Sequence, residues 1–135
     1  MGKKKSNKDK PQNIFAYTSF EIIRGWIEEK QEHTLARYLH QLSLKPNLVV
    51  NYLFTLGGIL SHPQVTLKIV LHILKLLSQK TVTALIPKDR LYQIAPYTQT
   101  SPMMDLFTGL CSAQGKFRNH NDYIGCVKQL AELGL

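Results

Sequence analysis

The stretch from Asn47 to Lys80 decides the fold of this chain. It reads NLVVNYLFTLGGIL, then SHPQ, then VTLKIVLHILKLLSQK. Both apolar runs are longer than a typical strand and neither alternates with period two, so the pattern predicts helices. No charged side chain lies between Lys45 and Lys68, and no acid lies between Glu32 and Asp89. Two apolar helices joined at a short corner are therefore the predicted centre of the molecule.

The corner consists of Ser61, His62 and Pro63. Ser61 precedes Gln64 by the spacing of a capping box, and Pro63 falls in a first turn, where its missing N–H costs nothing. This arrangement predicts that Ser61 caps the second central helix.

Polar side chains follow one narrow stripe of that second helix. They stand at Lys68, His72, Lys75 and Gln79, three or four residues apart. Apolar residues cover the rest of the helix, so we expect it to be enclosed on most sides. These apolar positions are Val65, Leu67, Ile69, Val70, Leu71, Ile73, Leu74, Leu76 and Leu77.

Two helices are predicted before the central pair. Thr18 begins the first, with Glu21 at its third position and Tyr17 placed against Ile22 as a hydrophobic staple. The second covers roughly residues 34–42 and ends before the next proline. The residues expected to face inward are Phe20, Ile23, Trp26 and Ile27 in the first helix and Leu35, Tyr38, Leu39 and Leu42 in the second.

Shorter elements are predicted after the central pair. Residues 81–86 include Thr-Val-Thr, but a lone short strand would have no partner, so we expect a helical turn. Residues 87–95 fit a short helix with Leu91 and Ile94 inward. Residues 96–101 are a loop by composition.

The C-terminal part contains signals for two further helices. Ser101 is a cap residue followed by Pro102 at a first helical position, so a helix starts there. Asn119 or Asn121 can cap the last helix, and Gly134 falls just past its end. With about seven helices and short links, the chain is predicted to be all-α.

Length and composition indicate a single domain with a charged tail. The chain has 135 residues, 44% of them apolar, and a formal net charge of +8. Residues 1–13 hold no apolar side chain after Met1, so we expect a disordered basic tail before one helical domain over residues 14–135. The tail lysines are Lys3, Lys4, Lys5, Lys8 and Lys10.

Helical hairpins that are apolar on nearly every side must bury their faces on neighbours, which predicts stacked hairpins or an irregular helical bundle. The stretches GLCSAQGKF (residues 109–117) and CVKQLAELGL (residues 126–135) resemble a pentatricopeptide-type hairpin. LKPNLVVNYL (residues 44–53) resembles the junction between two such repeats. Armadillo- or HEAT-like hairpins fit as well, and either resemblance implies a helical-repeat stack.

The N-terminal tail suggests several kinds of contact. Its lysines suit nuclear import, a phosphate backbone or an anionic membrane surface, or they only solubilise the chain. Gly2 and Ser6 fit the minimal acylation pattern, although the three lysines that follow Gly2 suit that reaction poorly. Lys68 and Pro63 interrupt the longest apolar stretch, which argues against a membrane span.

The polar stripe of the second central helix is the predicted binding surface. It consists of Lys68, His72 and Lys75, with Lys80 near its end and no acid close in sequence. These residues could face an acidic partner or a phosphate backbone. The alternative is a solvated edge of a buried helix.

Metal binding and catalysis have little support in the sequence. Cys111, His120 and Cys126 lack the close spacing of zinc ligands, so buried thiols are expected. No phosphate loop, nucleophile elbow or paired carboxylate is present. Gly57 and Gly58 indicate close helix packing, because no Lys-Ser or Lys-Thr follows them. We therefore expect no cofactor and no enzyme activity.

The leading hypothesis is a non-catalytic helical module that binds another protein, one option being an acidic one, through a groove edged by the basic stripe. The alternative is a helical protein that binds RNA or DNA with Lys68, Lys75, Lys80 and the tail. A third option is one end of a larger assembly. The two cysteines and the lack of a signal peptide predict an intracellular protein of the nucleus or cytoplasm.

Overall fold

The computed structural model describes residues 18–134, and every regular element in that range is helical. This confirms the all-α prediction. The predicted basic tail, with its lysines and Gly2, lies outside the described residues. The helices are α1 (Phe20–Glu28), α2 (Glu32–Ser43), α3 (Pro46–Val49), α4 (Leu53–Ser61), α5 (Leu67–Ser78), α6 (Lys80–Thr83), α7 (Lys88–Leu91), α8 (Pro102–Ser112) and α9 (His120–Gly134), with 3₁₀ turns at Val50–Tyr52 and Gln114–Lys116.

The six longer helices form three stacked hairpins, α1/α2, α4/α5 and α8/α9. Helices α1, α4 and α8 pack side by side in one layer, and α2, α5 and α9 pack side by side in the other. The first and third hairpins lie on opposite sides of the second. The predicted stack of helical hairpins is therefore the observed architecture.

Equivalent helices of neighbouring hairpins run parallel. The first and second hairpins are joined by Glu28 to His62 and by Glu32 to Thr66, both pairs being 34 residues apart. Contacts between the second and third hairpins span 53 residues, from Lys116 Nζ to the Pro63 carbonyl, or 55 residues, from Gln129 to Leu74. The spacing changes because residues 79–101, which carry the short helices α6 and α7, are inserted between them.

Glycines allow α4 and α8 to approach very closely. A Cβ atom added at Gly109 would lie 2.6 Å from the Leu60 Cβ and 2.7 Å from the Gly57 carbonyl oxygen. One added at Gly57 would lie 2.9 Å from the Asp105 Cβ. On the other side of α4, the Phe20 ring covers Gly58. The prediction that Gly57 and Gly58 serve close helix packing is confirmed.

Four of the long helices begin with a side-chain cap, and one of them is α9, where Asn119 Oδ1 accepts a hydrogen bond of 2.8 Å from the Asn121 backbone N–H as predicted. The hydroxyl oxygens of Ser19, Thr66 and Ser101 accept hydrogen bonds from backbone N–H groups three residues later, and Pro102 follows Ser101 as predicted. The predicted cap at Ser61 is wrong. Ser61 is the last residue of α4, where its hydroxyl donates a hydrogen bond to the Gly57 carbonyl. Residues 62–65 separate it from Thr66, which caps α5.

Several smaller predictions also need correction. The first helix starts at Phe20 behind Ser19 rather than at Thr18. Ile22 is 49% exposed, and its predicted staple partner Tyr17 lies outside the described residues. Helix α7 ends at Leu91, which leaves Ile94 51% exposed rather than inward. Gly134 belongs to α9 instead of following it.

The central helices are apolar as predicted, but they pack mainly on other hairpins. Helix α4 makes its most extensive contact with α8, and α5 lies between α2 and α9. Leu71 is 44% exposed beside the polar stripe, so α5 is more open than expected. The second hairpin is therefore central because the first and third hairpins both pack against it.

We predict opposite effects of alanine at two helical glycines. Gly109→Ala should destabilise the fold by roughly 2–3 kcal/mol, because the new methyl group meets backbone that cannot move aside. Gly125→Ala should stabilise it by roughly 0.5–1 kcal/mol, because nothing lies within 4 Å of that position and alanine favours the helix. Urea unfolding measures both, and equal effects would contradict the close α4–α8 contact.

Candidate functional site

A surface groove of about 600 Å³ runs between α2 and α5. We call it the α2–α5 groove. Its side chains come from the C-terminal half of α2 and from one face of α5. They are His40, Ser43, Leu44, Lys68, Leu71, His72, Lys75, Leu76 and Gln79.

Glu32 holds the two helices together at one end of the groove. The Thr66 hydroxyl donates a hydrogen bond of 2.5 Å to one carboxylate oxygen of Glu32, and Lys68 Nζ lies 3.9 Å from the other. The same threonine caps α5, so the helix start and the inter-helix contact depend on one residue. Glu32 also corrects the expectation that the stripe has no acid near it.

The rim of the groove is basic. Lys68, His72 and Lys75 line it together, as the spacing of the polar stripe predicted. Lys80 does not line it, because α5 ends at Ser78 and Lys80 is the exposed first residue of α6. Three of the four predicted binding residues, Lys68, His72 and Lys75, therefore line the groove. Gln79, the last residue of the polar stripe, lines it as well.

The groove also presents leucine side chains to solvent. Leu44 is 61% exposed and Leu71 is 44% exposed, while Leu76 is 1% exposed and belongs to the core. Leu44 stands just past the end of α2, where its backbone N–H closes the last helical turn. The site thus combines two accessible leucines with a positively charged edge.

The surroundings of His72 change the pKa of its imidazole. Its pKa is lowered below 6.5, first by burial and then by the nearby His40, Lys75 and Lys68. Each of these charges opposes protonation of the ring. His72 is consequently mostly neutral near pH 7, and the charge of the groove rises when the pH falls.

Other reactive side chains lie outside the α2–α5 groove. Within residues 18–134, no group of three or more potential metal ligands comes together. Cys126 is buried as expected, and burial raises the pKa of its thiol. Cys111 is exposed, which corrects the expectation that both thiols are buried. Burial and a hydrogen bond to Cys111 raise the pKa of Tyr123.

The acids of the first hairpin take part in surface ion pairs. Arg24 lies 3.5 Å from Glu21 and 3.9 Å from Glu28, and Glu28 also lies 3.3 Å from His62. Exposed pairs of this kind contribute little to stability. Their geometry supports hairpin stacking, since Glu28 and His62 belong to successive hairpins.

Sequence reasoning missed the half of the groove that α2 supplies. His40 and Leu44 stand in a part of the chain that showed no basic stripe, and Leu71 was expected to be covered. One signal was available in retrospect. Leu44 is a large apolar residue just past a helix end and next to Lys45, where burial would not be expected.

No helix among residues 18–134 has the length and apolar character needed to cross a membrane. The chain matches no protein-family model, no curated protein and no solved structure. The role of the α2–α5 groove must therefore be inferred from its own geometry and charge.

We predict that His72 titrates below pH 6.5 and that replacing the two groove lysines raises its pKa only in part. Lys68→Met with Lys75→Met removes two of the opposing charges, but burial, the largest cause, remains. Nuclear magnetic resonance of the histidine ring protons measures both effects, with His72→Gln identifying the signal. A His72 pKa at or above 6.5 would contradict the groove geometry.

A stability consequence follows from the same shift. Between pH 6.5 and the lower pKa of folded His72, the unfolded chain binds a proton that the folded protein does not, so acidification lowers the free energy of unfolding. His72→Gln should reduce this pH dependence. Urea titrations at pH 7.5 and pH 5.5 test it, and an unchanged dependence in the variant would exclude His72 as its source.

Proposed function

We propose that this protein is a non-catalytic α-helical module that binds an amphipathic segment of another protein in the α2–α5 groove. The observation that carries the proposal is the presence of two exposed leucines inside a groove with a basic rim. The N-terminal lysine tail would serve localisation. Assembly into a larger complex is compatible with this role.

The apolar part of the groove suits a helical segment. An amphipathic helix places apolar side chains at three- and four-residue intervals into such a surface. Leu44 comes from the end of α2 and Leu71 from the middle of α5, so a bound helix would contact both neighbouring hairpins. Covering these two side chains removes apolar surface from water, which favours association.

The charged part of the groove selects against basic segments. Lys68 and Lys75 stand on one face of α5, and no acid lines the groove itself. Complementary charge mainly increases the association rate and the specificity of a complex. The partner segment would therefore carry carboxylates beside its apolar residues.

Nucleic acid is the second proposal, since Lys68, Lys75, Lys80 and the tail could contact phosphates. The lining of the groove favours protein over nucleic acid. It contains no arginine, phenylalanine, tyrosine or tryptophan side chain. Stacking of bases on aromatic rings is a main source of affinity for single strands. Phosphates would also leave Leu44 and Leu71 uncovered.

Site-specific photo-crosslinking tests the leading proposal. A benzoylphenylalanine placed at Leu71 should capture protein partners in cells, and the same group at Leu85 should not. Leu85 is the matched control because it is 46% exposed but does not line the groove. Identical crosslinks from both positions would exclude the groove as the binding site.

Charge reversal in the same crosslinking experiment tests whether the basic rim of the groove contributes to binding. Lys68→Glu with Lys75→Glu should reduce the captured protein roughly tenfold, because each lost ion pair and each new repulsion weakens binding. Lys88→Glu with Lys128→Glu has the same net charge and changes exposed lysines outside the groove. Circular dichroism confirms that each variant is folded. Equal loss in both double variants would indicate a nonspecific charge effect.

A salt titration separates the two proposals. Binding of single-stranded DNA or RNA through several lysines should weaken steeply with salt, by about three hundredfold or more between 50 and 200 mM for six or more phosphate contacts. A groove that binds a protein segment through leucines should show a shallower dependence. Absence of binding to a mixed nucleic-acid pool at low salt would exclude the second proposal.

A further inference from the structure

We infer that the α2–α5 groove takes up a proton at His72 when it binds an acidic segment, so that its affinity rises as the pH falls. This inference rests on the proposed function and adds its regulation. It is carried by the position of His72 and His40, which line one groove from facing helices.

The groups that face the histidines are all basic. Helix α2 contributes His40 itself, and α5 contributes Lys68 and Lys75. No acid lines the groove, and the Glu32 carboxylate contacts Thr66 and Lys68 beside it. In the free protein, each new positive charge in the groove therefore meets others of the same sign.

Binding of an acidic segment reverses this balance. Carboxylates within about 4–6 Å of an imidazole favour its charged form. Burial and, after it, the nearby positive charges lower the pKa of His72 in the free protein, and a bound carboxylate would raise it. The complex then holds more protons than its separate parts, and by linkage acidification must strengthen it.

The histidines alone provide this response near neutral pH. The ammonium groups of Lys68 and Lys75 stay charged across this range, and the carboxylates of a partner stay ionised above about pH 5.5. An affinity change between pH 7.5 and pH 5.5 must therefore come from groups with pKa values like that of histidine. The His72 imidazole, which lies between Lys68 and Lys75 on one face of α5, is such a group.

The probe is a synthetic helical peptide of about 18 residues, or five turns, with leucines at three- and four-residue spacing and glutamates elsewhere. Its termini are acetylated and amidated, and a second peptide carries glutamine in place of every glutamate. Isothermal titration against the full chain at pH 7.5 and pH 5.5 measures affinity. Repeating it in buffers of different ionisation enthalpy counts the protons taken up.

If binding raises the pKa of His72 by one unit, we expect the acidic peptide to bind more tightly at pH 5.5 than at pH 7.5, by up to about tenfold. Binding should be accompanied by proton uptake. The double variant His40→Gln with His72→Gln should bind with nearly the same affinity at both pH values. The matched control His33→Gln with His120→Gln, outside the groove, should keep the response.

The possible results have separate meanings. If the acidic peptide binds with the same affinity and no proton uptake at both pH values, the inference is overturned and the proposed function stands. A response retained in the His40 and His72 double variant also overturns it. If neither peptide binds at any pH, the proposed use of the groove fails and the inference fails with it.

Discussion

The close approach of α4 and α8 is the constraint on which the rest of the structure depends. Gly109 faces the Gly57 carbonyl and Leu60 with no room for a side chain, so the two helices meet almost backbone to backbone. This contact fixes the third hairpin against the second. It also determines which faces of α4 and α5 remain for the first hairpin, since the two outer hairpins occupy opposite sides. The α2–α5 groove lies between the first hairpin and the second.

The groove shows how stacked hairpins bring apolar and basic side chains together on one surface. Helix α5 buries one face among α2 and α9 and leaves its polar stripe at the seam with α2. The end of α2 places Leu44 next to that stripe, so a surface that neither helix has alone forms between them. Its apolar and basic parts lie close together, which suits recognition of amphipathic acidic segments. His72, whose pKa is lowered by burial and by nearby positive charge, gives the same surface a charge that depends on pH.

Much of this architecture could be predicted from local patterns. The apolar runs predicted α4 and α5, and the spacing of Lys68, His72 and Lys75 predicted one side of the groove. Residues that depend on distant partners could not be predicted. His40 meets this stripe only because the first two hairpins stack with a separation of 34 residues. Ser61 matched a capping pattern, but nothing local showed that Thr66 would be held by Glu32. Ile94 matched a short helix that ends one turn earlier.

The order of the hairpins has a consequence for how the chain folds. Both outer hairpins pack on α4/α5, so each of them depends on this middle pair for its packing surface. The most extensive contact, between α4 and α8, spans the inserted residues 79–101, and a contact of such long sequence separation slows folding. Either outer hairpin could also detach while the other stays docked, as a unit of partial unfolding. Opening of the first hairpin would dismantle the groove, so a bound segment would act as a clamp that protects α2 from hydrogen exchange.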